Sequence, residues 1–486
     1  MLFNSYEFLF AFLPVTFIIY FYLLNKRMVY GAKSFMVFAS LFFYSWWNVL
    51  YLPIILASML FNFIIGSSLN NNLTQIRVPK KILLIVGILG NLSLLAYFKY
   101  ADFLIENTNY IFNLDINTLH LALPLAISFF TFQQIAYLVD SYRQETSEYD
   151  FLNYALFVTF FPQLIAGPIV HHKEMMPQFA SKWNLIKNYK NISAGIFIAS
   201  IGLFKKVVIA DTFALWATAG FDVAPSLNLF EAWATSLSYT FQLYFDFSGY
   251  ADMAIGFALF FNIKLPTNFN SPYRATNIQD FWRRWHITLS RFLKDYVYIP
   301  LGGNRKNEFR TYANLMATFI LGGIWHGAGW TFLFWGFLHG LSLVIYRLWE
   351  RLGFKLWKWF AWFITFNFVN IAWVFFRARE WGDALKVLGA MVGLDGIVLG
   401  EKYVQYLSFL GENSLFEIGK ITQHIGDGSL VLKWIIVGFV LLMFKNSFEQ
   451  LNSFKLSVGT LLITSISFVI SFLHLTDVSE FLYFNF

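Results

Sequence analysis

The chain has 486 residues, of which 58% are apolar and 13% charged, and its mean hydropathy is +0.56. Soluble domains have roughly 45–50% apolar and 25% charged residues. The composition therefore excludes an ordinary soluble protein and predicts a polytopic membrane protein. The absence of cysteine excludes disulfides, thiolate metal sites and a cysteine nucleophile. The net charge of +7 matches the basic loops that membrane topology requires, so nucleic acid is not an expected partner.

Apolar segments recur along the whole chain, which is expected to form a single multi-span domain over residues 1–486. The first segment lacks a basic start and a cleavage site, so it is predicted to be a retained span and not a signal peptide. A membrane-crossing helix needs about 20 mostly apolar residues. By that measure we predict an all-α fold with about eleven transmembrane helices, near 7–24, 34–50, 52–68, 82–98, 119–139, 193–216, 231–262, 312–346, 359–376, 430–444 and 457–474.

Basic residues between the segments predict the orientation, because Lys and Arg collect on the cytoplasmic side of a membrane. Three of them between positions 26 and 33 place the first loop inside and the N-terminus outside. Successive loops should alternate between inside and outside, and this alternation fails at 151–169 if the segment crosses the membrane. Proline and glycine interrupt the apolar run there, and a re-entrant element that enters and leaves on the same side restores the alternation. With this element, both termini and the stretch 377–432 are predicted to lie outside the cytoplasm.

Two carboxylates interrupt the predicted span 231–262, in the sequence Asp246-Phe-Ser-Gly-Tyr-Ala-Asp252. An ionisable group at that depth must be paired, be protonated or face a cavity. We expect Asp246 to form a plain structural pair. The alternative is that Asp246 takes part in the site by orienting a catalytic imidazole, as a carboxylate does in a triad.

The predicted cytoplasmic stretch 264–310 is the most basic part of the chain, with nine Lys and Arg residues and three acids. Topology alone accounts for these charges, but they also suit an anionic cytoplasmic ligand such as a phosphorylated cofactor. Arg283, Arg284 and Arg305 are therefore candidate donor-binding residues.

Residues 281–296 within that stretch are predicted to form one amphipathic interfacial helix. Trp282, Trp285 and Leu289 fall on the same face at helical spacing. His286 lies on this segment as a candidate site residue, and a structural hydrogen bond is the alternative role for it.

Glycines surround a histidine in Leu321-Gly-Gly-Ile-Trp-His-Gly-Ala-Gly-Trp330. The helix is expected to break there. Opened backbone beside an uncharged imidazole in a dry setting provides a general base and amide donors for an oxyanion. His326 is thus the candidate catalytic residue and Trp325 a candidate binding residue, whereas a core histidine bonded to a carbonyl is the alternative. His339, in the looser echo Trp335-Gly-Phe-Leu-His-Gly340, is a second candidate for the base.

Four motifs are similar to those of a known family, and the likeness spans nearly the whole chain. They are Gln163-Leu-Ile-Ala-Gly-Pro168, Asp246-Phe-Ser-Gly-Tyr250, the run from Asn270-Ser-Pro-Tyr to Gly-Gly-Asn-Arg305, and Trp325-His-Gly327. The opening Met1-Leu-Phe-Asn-Ser-Tyr6 and Tyr97-Phe-Lys-Tyr100 are also typical. In these motifs the sequence resembles the membrane-bound O-acyltransferases, in particular the bacterial branch typified by alginate O-acetyltransferase.

The resemblance implies a multi-helix fold, pinched by a funnel from each face, in which acyl groups pass to a hydroxyl acceptor. It places the near-invariant histidine of the family on His326 and a second, more variable position on His286. It implies a thioester substrate such as acetyl-CoA on the cytoplasmic side, with no bound cofactor and no metal. The acceptor is expected outside the cytoplasmic (inner) membrane, as a polysaccharide or a partner acetyltransferase, and an exopolysaccharide is preferred over peptidoglycan.

Two other functions remain as alternatives. D-alanyl transfer to teichoic acid uses the same fold, but its donor is a carrier protein. A secondary transporter also has many spans and broken helices, but it usually shows inverted repeats and an ion site at the midplane, and the sequence shows neither.

Overall fold

A computed structural model describes residues 1–70, 78–146, 148, 150–399, 416–476 and 482. This part of the chain is helical except for loops and one short parallel pair of strands, β1 (Ile397–Leu399) and β2 (Phe416–Ile418). Its helices are α1 (Leu13–Asn25), α2 (Val29–Ser45), α3 (Tyr51–Asn70), α4 (Lys80–Leu95), α5 (Ala101–Phe112), α6 (Ile127–Tyr142), α7 (Phe151–Thr159), α8 (Phe161–Leu164), α9 (His172–Ala180), α10 (Tyr189–Phe204), α11 (Asp211–Thr218), α12 (Leu229–Phe260), α13 (Ile278–Arg284), α14 (Ile287–Leu293), α15 (Glu308–His326), α16 (Trp330–Leu352), α17 (Lys358–Arg377), α18 (Trp381–Met391), α19 (Gly428–Met443), α20 (Ser447–Asn452) and α21 (Val458–Leu473).

Six helical stretches of the described chain are long and apolar enough to cross a bilayer, so the fold is that of an all-α polytopic membrane protein. Each of them overlaps a predicted span, although Lys80–Phe112 and Tyr189–Val223 extend well beyond the predicted 82–98 and 193–216. The other five predicted segments fall on helices that are shorter or more polar, such as α12 and α19. The six stretches are Glu7–Asn25, Tyr51–Asn70, Lys80–Phe112, Tyr189–Val223, Trp330–Leu352 and Lys358–Arg377.

Two predicted boundaries are wrong. Segment 312–346 is not one helix but a hairpin of α15 and α16, because Gly327 and Gly329 take up extended backbone between them. Segment 119–139 becomes helical only at Ile127, since Ala126 before it has a left-handed backbone with φ of 58°.

The predicted re-entrant element at 151–169 consists of α7 and α8, which are interrupted at Phe160. The nine residues of α7 rise only about 14 Å, whereas the hydrocarbon core of a bilayer is about 30 Å thick. Neither helix is long enough to cross alone, which supports the re-entrant interpretation, although the membrane orientation stays a prediction. Residues 400–415 of the predicted external stretch lie outside the described residues.

Helix α12 is the centre of the fold, and nearly all of its 32 residues are buried. It packs against α10, α11, α17, α18 and α19. Its closest neighbour is α10, because glycines on both helices remove the side chains at the crossing: a Cβ on Gly202 would lie 2.5 Å from the carbonyl oxygen of Gly249. Small residues that let backbones touch are typical of helix pairs in membranes.

Candidate active site

The imidazole of His326 lies at the last residue of α15, where the α15–α16 hairpin turns. Its side chain is buried, and aromatic rings surround it. The ring centroids of Trp325, Trp335 and Phe376 lie 4.7, 5.2 and 5.0 Å from that of His326. The site is therefore dry and apolar, as the sequence predicts for a group that must stay uncharged.

The helix breaks after His326, as predicted, but it does not open at Gly322 and Gly323, which remain helical. These glycines serve packing instead. A Cβ on Gly323 would lie 2.3 Å from the carbonyl oxygen of Phe332 in α16. Helix α16 begins at Trp330, where no side chain caps its first amides. The oxyanion donors stay a prediction.

A buried lysine holds the carbonyl end of α15, and it was not among the predicted site residues. The ammonium of Lys99 donates hydrogen bonds to the carbonyl oxygens of Trp325, at 2.6 Å, and His326, at 3.0 Å. The hydroxyl of Ser128 accepts a third bond at 3.3 Å. A cation at a helix C-terminus interacts favourably with the partial negative charge of the carbonyls there.

One signal in the sequence could have identified this lysine. Lys99 lies in a helical stretch that is long and apolar enough to cross a bilayer, and a charged residue in such a stretch indicates a functional role by default. The motif Tyr97-Phe-Lys-Tyr100 was noted only for its family likeness. Tyr100, the last residue of this motif, also binds the carbonyl end of α15, because its hydroxyl donates to the carbonyl oxygen of Ile324 at 2.7 Å.

The predicted single helix over 281–296 is wrong: it is split into α13 and α14 at His286, whose φ is +42°. Asn268, in the loop after α12, stabilises this break with its carbonyl and its side chain. Its carbonyl accepts the amide of Ile287 at 3.0 Å, and its side-chain oxygen accepts from Nδ1 of His286 at 3.1 Å. Trp282, on the face predicted to lie at the interface, is buried in the protein, as are Trp285 and Leu289.

Burial lowers the pKa of His286 to about 3, so the ring is neutral near pH 7. Since Nδ1 faces the side-chain oxygen of Asn268, we assign the proton to Nδ1 and a bare lone pair to Nε2. That Nε2 is buried and has no hydrogen-bond partner among the described residues. His286 thus has the structural hydrogen bond of the alternative interpretation and a free nitrogen for a ligand as well.

Trp325 separates the two imidazoles. Its ring centroid lies 6.3 Å from that of His286 and 4.7 Å from that of His326. Stacking on Phe132, with a centroid distance of 5.0 Å, fixes the indole plane. The structure therefore brings three predicted site residues together in one cluster.

His339 belongs to the same aromatic cluster but has a structural bond. Its Nδ1 accepts a hydrogen bond from Nε1 of Trp282 at 3.2 Å, and its ring lies 4.7 Å from that of Trp335. A nitrogen that is already an acceptor inside the protein cannot serve as a base without breaking this bond. The geometry favours His326 over His339 for the reaction.

The other predicted binding residues lie apart from this cluster. Arg283 and Arg305 are exposed, and Arg284 donates to the carboxylate of Asp280 at 2.8 Å. Asp246 is paired with the ammonium of Lys206 at 2.8 Å, which is the structural pair that the sequence favours. Among the described residues no group of three or more His, Asp or Glu side chains could hold a metal ion.

A helical hairpin within this multi-span membrane bundle thus places a buried histidine, enclosed by aromatic rings, at its turn. The family profile described as MBOAT, membrane-bound O-acyltransferase family, matches residues 140–379. The chain belongs to this family and is an acyltransferase.

Relatives along the full length agree with this assignment. A protein of Helicobacter pylori named peptidoglycan O-acetyltransferase is 51% identical, with 100% of this chain and 98% of the relative covered. One of Pseudomonas putida named "Probable alginate O-acetylase" is 37% identical, over 93% of this chain and 98% of the relative. The teichoic acid D-alanyltransferase of Bacillus subtilis is 27% identical over 52% of this chain and 69% of the relative.

Proposed function

We propose that this enzyme moves an acetyl group from acetyl-CoA in the cytoplasm to hydroxyl groups of a cell-wall polysaccharide outside the cytoplasmic membrane. Peptidoglycan is the preferred acceptor. The sequence alone favours an exopolysaccharide, but the relative with 51% identity over the full chain is named for peptidoglycan, and those named for alginate are 37–41% identical. The likeness to the D-alanyltransferase covers only half of the chain.

The position of His326 is the observation that supports transfer across the membrane. Helix α15 has 19 residues: it begins at Glu308, at the edge of the basic stretch 264–310, and ends at His326. At 1.5 Å per residue this helix is about 28 Å long, close to the hydrocarbon thickness of a bilayer. The imidazole therefore lies at the opposite end of α15 from Glu308, where it shares a cluster with the buried His286 of the basic stretch.

The chemistry requires one proton acceptor at the meeting point of the two substrates. The imidazole of His326 takes the proton of the acceptor hydroxyl while the hydroxyl oxygen attacks the thioester carbonyl. The tetrahedral intermediate collapses with cleavage of the carbon–sulfur bond, and the thiolate receives the proton from the imidazolium. The products are an acetyl ester and a free thiol.

A covalent route uses the same residue. In it, a ring nitrogen attacks the thioester carbonyl, the carbon–sulfur bond breaks, and the thiolate leaves with the proton of the other ring nitrogen, so that the acetyl group resides on the imidazole. The acceptor hydroxyl then attacks the acetyl group, the carbon–nitrogen bond breaks, and the hydroxyl proton returns to the imidazole. The two routes differ in one observable: only the covalent one leaves labelled acetyl on the enzyme when donor is supplied without acceptor. The acceptor hydroxyl belongs to the polysaccharide itself or to a partner acetyltransferase that carries its own nucleophile.

The test is the acetate content of isolated cell-wall fractions from cells with and without the gene. Mild base releases ester-bound acetate, and we expect the acetate from peptidoglycan to fall in the mutant and to return with the wild-type gene but not with His326→Ala. A loss confined to an exopolysaccharide would reassign the acceptor. Unchanged acetate in every fraction would remove the acetyltransferase proposal.

Donor binding at the basic face is tested separately. Arg305→Gln removes an exposed cation, whereas Arg284→Gln removes one already paired with Asp280. We expect both to weaken acetyl-CoA binding at low salt, the former more, and the loss to shrink as salt rises because the Debye length falls to about 8 Å at physiological ionic strength. Unchanged affinity at low salt would leave these residues with a topological role only.

A further inference from the structure

A cavity of about 350 Å³ lies between the start of α17 and the end of α19. Its walls are mostly aromatic and aliphatic, and they include Trp359, Trp362, Phe439, Leu442 and Met443. It opens to the outer surface of the helix bundle, where Trp359 is 61% and Met443 70% exposed. Tryptophans at helix ends are typical of the membrane–water interface.

A second cavity, of about 170 Å³, adjoins the first. Three cations line the two cavities. Arg274 lines both cavities, Lys358 the first and Lys445 the second. No carboxylate lines either cavity within the described chain. The second cavity also contains Lys205, but its charge is matched by Asp252 at 2.7 Å.

The three cations are not neutralised in the described part of the chain. Arg274 donates to two neutral carbonyls, those of Leu442 at 2.6 Å and Phe444 at 3.1 Å. Lys358 and Lys445 are exposed and form no ion pair with any residue that the structure describes. An apolar cavity bordered by unmatched positive charge is complementary to a molecule with a hydrocarbon tail and an anionic head.

The predicted topology puts the three cations on one side, because 264–310 is predicted to be cytoplasmic and the spans 359–376 and 430–444 flank the predicted external stretch 377–432. Arg274 lies in the stretch 264–310, Lys358 precedes the span 359–376, and Lys445 follows the span 430–444. Basic pockets between helices on the cytoplasmic side of membranes bind anionic lipid head groups.

From this geometry we infer that the cavity between α17 and α19 is a binding site for an anionic phospholipid of the cytoplasmic leaflet. The lipid phosphate contacts Arg274, Lys358 and Lys445, and an acyl chain lies along Trp359 and the apolar wall. A water-soluble thioester is a poorer fit, because the opening is bordered by exposed apolar side chains that face lipid. The inference does not depend on which acceptor the enzyme acetylates.

The experiment uses the purified full-length protein in detergent, with phosphatidylglycerol and phosphatidylethanolamine of identical acyl chains added in turn and bound lipid counted by native mass spectrometry. We expect phosphatidylglycerol to be retained preferentially. Lys358→Gln combined with Lys445→Gln should lower its retention by roughly 25-fold, because each cation near a membrane surface contributes about fivefold. Neither lysine makes a side-chain hydrogen bond in the described chain, so folding should be preserved.

The matched control is Lys190→Gln combined with Lys455→Gln, which removes two exposed cations that line neither cavity. This control should retain phosphatidylglycerol like the wild type. Trp359→Ala should lower the retention of both lipids, since it removes a contact with the acyl chain and leaves the charges in place.

Three results would overturn the site: equal retention of both lipids by the wild type, equal loss in the lysine pair and its control, or displacement of phosphatidylglycerol by inorganic phosphate or acetyl-CoA at equal concentration. The last result would assign the cations to a soluble anion. Loss of acetyl transfer with normal lipid retention would affect only the proposed function.

Discussion

Two polar side chains meet at the end of α15, and they have different roles. His326 presents its imidazole to the aromatic cluster, whereas Lys99 contacts only the backbone carbonyls behind it and the hydroxyl of Ser128. The first can exchange a proton with a substrate. The second fixes the position of the first, so substitutions at the two residues should have different effects.

We predict that His326→Ala folds and inserts nearly normally, while the rate of acetyl transfer falls by roughly 10²- to 10⁴-fold through loss of the general base. His326→Gln should be equally inactive, because an amide forms hydrogen bonds but does not take a proton near neutral pH. The measurement is transfer by purified enzyme at matched protein concentration. A His326→Ala enzyme with wild-type yield and near wild-type transfer would contradict the assignment.

The other two histidines are the controls for this prediction. His339→Ala should lose stability, by about 1–3 kcal/mol, because Nε1 of Trp282 then lacks its acceptor, but the folded enzyme should retain most of its activity. The activity of His286→Ala should lie between those of His326→Ala and His339→Ala. This substitution should raise KM if the free Nε2 positions a substrate, and lower kcat if that nitrogen shares in the chemistry.

Lys99→Met should lower kcat by roughly 10- to 100-fold and leave KM for the donor nearly unchanged, because small displacements of a catalytic group are costly to the chemical step. The matched variant is Tyr100→Phe, which removes one neutral bond from the same helix end. It should cost about 1 kcal/mol of stability and leave kcat within about threefold. Lys99→Arg should restore part of kcat because it keeps the charge. Equal kcat values for Lys99→Met and Tyr100→Phe would reduce Lys99 to a structural residue.

Among the helices, the sequence predicts most of the apolar spans and the break after His326, but not the break at His286. Length and hydropathy suffice for a span because lipid requires about 20 apolar residues whatever the packing. The glycines around His326 indicated the turn of the hairpin correctly. They did not reveal that Gly323 serves close contact with α16, because contact between helices is a tertiary property.

The break at His286 shows what sequence periodicity misses. The spacing of Trp282, Trp285 and Leu289 fits one helix, but Asn268, 18 residues before His286, competes for the hydrogen bonds at its centre. Bonds with a distant segment are absent from any local pattern. The same holds for Lys99, whose two carbonyl partners lie more than 220 residues away.

The tight packing of the α15–α16 hairpin leads to a prediction about stability. A Cβ on Gly336 would lie 2.4 Å from the carbonyl oxygen of Phe319 and 3.1 Å from Cα of Ile320. Both are backbone atoms, so the helices must move apart, and we expect Gly336→Ala to cost about 1–3 kcal/mol. The change is measured as a lower Tm of the purified protein in detergent.

Gly382→Ala is the control, since no atom lies within 4 Å of the added Cβ. This residue lies in α18, where alanine is favoured over glycine by up to about 1 kcal/mol, so Tm should stay or rise. Equal Tm values for Gly336→Ala and Gly382→Ala would show that close contact of α15 with α16 does not require a glycine at position 336.

At the scale of the whole molecule, the charge pattern and the packing agree on one face. Arg274, Lys358 and Lys445 are far apart in sequence. Arg274 lies in the predicted cytoplasmic stretch 264–310, and each lysine is separated by one predicted span from the predicted external stretch 377–432. In the structure they line two adjoining cavities. Segments on opposite faces of a bilayer could not meet in this way, because about 30 Å of hydrocarbon separates them.

The orientation of the membrane domain can be tested with single introduced cysteines, because the native chain has none. Position 415 of the predicted external stretch lies outside the described residues, so we choose Lys420→Cys for that side and Lys306→Cys for the basic stretch; both lysines are exposed. In intact spheroplasts an impermeant thiol reagent should label position 420 and spare position 306. Detergent should then make both reactive, which shows that protection came from the membrane and not from burial. Labelling of position 306 alone before detergent is added would mean that the orientation is the reverse of the predicted one. The basic stretch, and with it the lipid and donor sites proposed on that face, would then lie outside the cytoplasm.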